Sequence, residues 1–125
     1  TIISASKDIT YSKAKIGTPN VVVSATPQAQ SVLANSSGTQ TGVLTDVVVT
    51  ALEGSTSQFT SMAATYSGFS TNPTISTNTL VMSSAVIDAT KTEASASIVV
   101  THSDSEGSGG QTKTIIVRAT NLVFL

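Results

Sequence analysis

Between Ala94 and Thr120 the chain carries two runs of β-branched residues joined by a stretch that can continue neither, and this arrangement limits the possible folds more than any other feature. The first run, Ser95-Ala96-Ser97-Ile98-Val99-Val100-Thr101-His102, places Ala96, Ile98 and Val100 two residues apart, the period of one face of a strand. The second, Thr112–Thr120, does the same with Ile115, Val117 and Ala119. Between them, Asp104-Ser105-Glu106-Gly107-Ser108-Gly109-Gly110 forms turns readily, because glycine tolerates positive φ and Asp and Ser bond to their own backbone. The segment is predicted to be a long β-hairpin with one face of each arm in a core.

The rest of the chain reads the same way. Asn20–Ala25 is predicted as a strand stopped by Pro27, and Gln30–Leu33 as a short edge segment before a polar loop over Ala34–Gly42. Thr45–Leu52 is a strand with Val47, Val49 and Ala51 on one face. Phe59–Phe69 offers another, bent at Ser67-Gly68, and Leu80–Met82 and Ser84–Ile87 are short strands or one bulged strand. About seven short strands with turn signals between them and no helical periodicity predict an all-β fold, an antiparallel β-sandwich. Its 125 residues suffice for one domain, expected over 17–121. Residues 1–16 are expected to be a leading strand, a linker from a preceding domain or a subunit contact, and 122–125 the start of a following segment or a tail. Because Thr1 replaces an initiator Met, the chain is expected to be a piece of a longer polypeptide.

Composition narrows the partners. Ser and Thr make up about a third of the residues and only 10% are charged, so hydroxyls take the place of Lys and Glu on the surface. A net charge of −1 gives no footprint for nucleic acid or an anionic membrane. No apolar run approaches the ~20 residues of a membrane span, so no membrane insertion is expected. There is no cysteine, hence neither disulfide nor thiolate metal site.

The stretch Tyr11-Ser12-Lys13-Ala14-Lys15 leading into Asn20–Gln30, the Val-x-Val-x-Ala-Leu pattern within Val43–Glu53, and the hairpin Ala96–Thr120 resemble the immunoglobulin-like modules of phage tail fibre and host-specificity proteins. The resemblance covers roughly residues 11–120. It implies an immunoglobulin-like sandwich in a virion, at the tail or capsid surface, acting as spacer or assembly element. Other virion subunits would be its partners, in a homo-oligomer that in such fibres is often a trimer. Trp and Cys, which mark the core of true immunoglobulin domains, are absent. A module that attaches to host-surface glycan, a capsid decoration protein and an extracellular bacterial adhesin repeat remain alternatives.

No catalytic constellation emerges, and the chain is expected not to be an enzyme and to need no cofactor. His102 is the only histidine and is expected to be hydrogen-bonded or solvated rather than catalytic. Asp104 and Glu106 are weak candidates for calcium, without the ligand spacing of an EF-hand, and the default for both is a solvated turn acid. The glycines at 107, 109 and 110 lie between strands, with no helix N-terminus to hold a phosphate. Asp46, Glu53, Asp88 and Glu93 show no spacing that pairs two of them for glycoside hydrolysis. Tyr66 and Phe69, flanking Gly68, are the glycan-contact candidates, with a core role for at least one the stronger reading. Val48, Val99 and Ile116 fall opposite the predicted core face, and with Ile9 and Tyr11 they are the expected contacts with another subunit or domain.

Overall fold

The predicted hairpin sets the register of one of two main sheets. In the computed structural model, which describes residues 20–123, strand β10 (Glu93–His102) pairs antiparallel with β11 (Gln111–Val123) from Glu93↔Thr120 to His102↔Gln111. The strands before them are β1 (Val22–Thr26), β2 (Ala29–Ala34), β3 (Val47–Glu53), β4 (Thr56–Ser57), β5 (Phe59–Ser67), β6 (Phe69–Thr71), β7 (Thr74–Ser76), β8 (Thr79–Val81) and β9 (Val86–Ile87). The first sheet has the order β1-β3-β8-β7, with β4 beside β3, and the second the order β2-β11-β10-β5; β6 and β9 form a small third pair. No described residue is helical.

One core lies between the sheets because both alternate with period two. Val47, Val49 and Ala51 of β3 are buried, as are Ala94, Ala96, Ile98 and Val100 of β10, while the residues between them stay half-exposed or exposed. Leu44, Leu80, Met82 and Ile87 complete the large buried side chains of this cluster. It is aliphatic; Phe59, Tyr66 and Phe69 only pack against its margin.

Three details depart from the sequence-based expectation. Eleven strands replace about seven, since Gly68 interrupts the run from Phe59 and the chain from Phe69 to Ile87 pairs in pieces of two or three residues. The fold is also not wholly antiparallel. After Pro27 the chain passes from the first sheet to the second and runs beside the last strand in the same direction, from Ala29↔Arg118 to Ala34↔Val123. Finally, Ile115 is half-buried rather than fully in the core. Burial fades along β11 from Val117 towards Lys113, whose ammonium donates to the Val21 carbonyl at the margin of the facing sheet.

The expected leading segment 1–16 and the domain start at Gly17 lie outside the described residues. The expected boundary after residue 121 falls inside β11, where Leu122 and Val123 pair with Leu33 and Ala34.

Candidate functional site

Among the described residues no His, Asp or Glu side chains gather as a metal site, so the candidate site is built from sheet faces and edges. Pairing places the outward residues of the second sheet in rows: Ile116, Ser97 and Thr65; Thr114, Val99 and Ala63; Thr112, Thr101 and Ser61. These side chains are small, most carry a hydroxyl, and none is charged. A shallow open depression of about 90 Å³ lies over Ala63, Thr65, Ser97 and Val99, far below the few hundred Å³ of a small-molecule site. The nearest charges on this face are Arg118 and Glu93, 4.0 Å apart and both about half-exposed.

Val99 and Ile116 belong to this face, each 39% exposed. Val48, 45% exposed, does not join them. It lies on β3, paired with Thr26 and Thr79, on the outer face of the other sheet, where Val22 is also exposed and Ser24 and Thr50 share a hydroxyl hydrogen bond of 2.9 Å. The expected single patch is therefore two patches on opposite sides of the core. Alternation distinguishes inward from outward positions but does not say which sheet a strand joins. Ile9 and Tyr11 lie outside the described residues.

Tyr66 and Phe69 do come together. Their rings meet edge to face, centroids 6.2 Å apart at 85°. Both pack against the core cluster, and partial burial raises the Tyr66 phenol above its ordinary pKa. Gly68 makes the bend between them at φ +85°; a Cβ there would lie 2.6 Å from the Glu93 carbonyl oxygen.

Asp104 spends its carboxylate on its own loop. One oxygen accepts the amides of Glu106 (2.9 Å) and Ser108 (3.2 Å), and the other the side-chain amide of Gln111. The Gln111 bond, followed by the Ser108 and Glu106 amides, holds the Asp104 carboxyl below its ordinary pKa of 3.8. Glu106 is exposed in the same loop, and among the described residues no three His, Asp or Glu side chains gather as metal ligands. A depressed pKa means the ionised form favours the folded state. That contribution is complete above pH 3.8 and is lost as pH falls through the lower folded value. Asp104→Asn is therefore expected to lower the urea midpoint at pH 7 and to match the parent near pH 2. An equal difference at both pH values would sink the assignment.

Sequence reasoning missed the other half of this corner. Glu53, on β3, accepts the Ser105 amide at 2.8 Å and the Ser105 hydroxyl, so it ties the β10–β11 loop to the first sheet. Gln58 reaches the same carboxylate at 3.5 Å. Glu53, Asp104 and Glu106 thus form an acidic corner beside the Phe59 end of β5. No local pattern links residues 53 and 105. His102, expected at a strand end as hydrogen-bonded or solvated, is 1% exposed and so not solvated, its Nδ1 2.8 Å from the Ser103 carbonyl; Nε2 has no partner among the described residues. Asn121, also buried, donates to the Gly38 carbonyl at 2.8 Å.

The sheet edges differ from one another. β1 is five residues long and is followed by Pro27; β7 has only three residues. β2 is covered: Thr41 and Gly42 donate to the Leu33 carbonyl, Gln40 bridges to Ala34, and Gln30 exchanges two hydrogen bonds with Thr45. β5 is nine residues long, contains no charge, proline or glycine, and among the described residues pairs only with β10. Its core-facing Met62, Ala64 and Tyr66 are only half-buried.

No protein-family model matches this chain, and comparison with curated proteins and with solved structures finds no match.

Proposed function

We propose that this chain is an immunoglobulin-like β-sandwich module of a phage virion, in a tail or tail fibre, where it spaces and joins subunits. The strand order supports the fold half of this reading. With β1, β3, β8 and β7 taken as A, B, E and D, and β5, β10 and β11 as C, F and G, seven of the eleven strands are compatible with the ABED and CFG orders of that fold, and β2, β4, β6 and β9 fall outside this lettering. The chain has neither Trp nor Cys, and its core is an aliphatic cluster.

The observation that carries the functional half is the surface. Both outer faces are rich in hydroxyls and poor in charge, with Val22 and Val48 exposed on one and Val99 and Ile116 on the other. Such apolar positions amid small polar neighbours suit repeated contact with other subunits on two sides, as a spacer requires. An antibody raised against the protein should label the tails of phage particles released from cultures that produce it, seen by negative-stain electron microscopy. Labelling of cell envelopes with bare particles would overturn the reading in favour of an adhesin.

A further inference from the structure

The nine-residue edge of β5 is the one long strand edge of the two main sheets that nothing described covers. Natural sheets blunt their edges with short strands, prolines, charges or covering segments, because a free row of N–H and C=O groups templates pairing with another strand. The other edges here follow that rule: β1, β4 and β7 are short, Pro27 follows β1, and residues 40–45 lie along β2. β5 does not. Every second residue along it turns its backbone groups away from β10 with no described partner. Met62, Ala64 and Tyr66 remain half-buried, whereas the equivalent residues of β10 are sealed by strands on both sides. An added strand would satisfy the backbone and cover these side chains in one step.

We infer that β5 accepts a strand from a second copy of this chain, residues 9–15, added antiparallel. Charge selects this occupant. The described residues carry six carboxylates against three cations, and the acidic corner of Glu53, Asp104 and Glu106 stands beside the Phe59 end of β5. Residues 1–19 carry three lysines and one aspartate, with Lys13 and Lys15 following Ile9-Thr10-Tyr11. Antiparallel addition brings Lys13 and Lys15 to that acidic end. With Ile9 opposite Ala64 and Tyr11 opposite Met62, the apolar residues fall on the half-covered face, and Thr10 and Ser12 fall beside Ala63 and Ser61 on the hydroxyl face.

Geometry favours a second copy over the same chain. β1 packs near β11, two strands from β5. A strand in cis would have to cross three spacings of about 4.8 Å, since it lies beyond β5, and a sheet separation of about 10 Å. Residues 16–20 reach about 17 Å at full extension, which leaves no slack. Donation in one direction from copy to copy builds rings or filaments, and reciprocal donation between two copies builds a closed pair. The inference stands whether or not the chain belongs to a phage.

Because the chain has no cysteine, single thiols report the contact directly. Thr10→Cys and Ala63→Cys versions of the 125-residue chain are mixed and oxidised, with Thr50→Cys, on the opposite face, replacing Ala63→Cys as control. Mixed disulfide between positions 10 and 63 is expected at ten-fold or more over the 10–50 control, falling at high salt as the lysine–carboxylate attraction is screened. Adding Thr65→Lys to the Ala63→Cys protein is expected to reduce it several-fold without changing the circular dichroism spectrum. Equal yields with position 50 would overturn the proposal. So would an intrachain disulfide as the main product of the Thr10→Cys, Ala63→Cys double variant, or efficient 63–63 linkage, which would mean that two β5 edges pair with each other.

Discussion

Replacing Ile98 by Asp is expected to leave the chain unfolded at 25 °C. Ile98 is fully buried at the centre of β10, with Ile115 and Ala64 as its cross-strand neighbours, and it belongs to the cluster that joins the two sheets. Removing its side chain forfeits about 2–5 kcal/mol, and a carboxylate with no cationic partner in an aliphatic cluster adds several more. Total stability for a domain of this size is about 5–15 kcal/mol, so little or none remains. Ile115→Asp is the discriminating comparison. Its side chain is only half-buried at the margin of the core, and an aspartate there can turn its carboxylate to water. Ile115→Asp should therefore retain a cooperative urea transition at a lower midpoint, whereas Ile98→Asp should show none. Equal behaviour of the two variants would mean that burial along β11 is assigned wrongly.

The second large effect is expected from Gly38→Ala. Gly38 has φ +87°, where an L side chain is strained, and a Cβ there would overlap the carbonyl oxygen of Ala89. The surroundings hold this glycine from two sides: its amide donates to Asn35 at 2.9 Å, and its carbonyl accepts the buried Asn121 side chain at 2.8 Å. A left-handed Ala costs about 1–2 kcal/mol, and displacement of packed backbone adds about 1–3 kcal/mol. Gly107→Ala provides the comparison, since Gly107 also has positive φ, at +82°, but nothing lies within 4 Å of its added Cβ. It should show the conformational cost alone. A thermal melt should place Gly38→Ala well below Gly107→Ala. Near-identical melting temperatures would show that the 35–39 turn can move away from Ala89.

The two comparisons also mark how far the sequence could be read. The hairpin, the inward faces of β3 and β10 and the loop 103–110 follow from alternation and turn chemistry, which are local. Gly38 sits in the loop the sequence indicated, yet its proximity to Ala89 and Asn121 joins segments about fifty and eighty residues away. The same limit separated Val48 from Val99 and Ile116 and hid the Glu53 tie to Ser105. Asp104, by contrast, serves a turn whose composition already announced it, and its carboxylate is occupied by groups within seven residues.

By itself, then, the sequence determined an all-β chain with an aliphatic core and a hydroxyl surface, because strand period and composition act residue by residue. Only the tertiary structure decided which sheet each strand joins. It sent the chain across from β1 to β2 so that β2 meets β11 in parallel, and among the described residues it paired β5 on one side only while segment 40–45 covered β2. The physical reason is that hydrogen-bond partners in a sheet are chosen by the summed packing of both faces, a quantity no single strand's pattern contains.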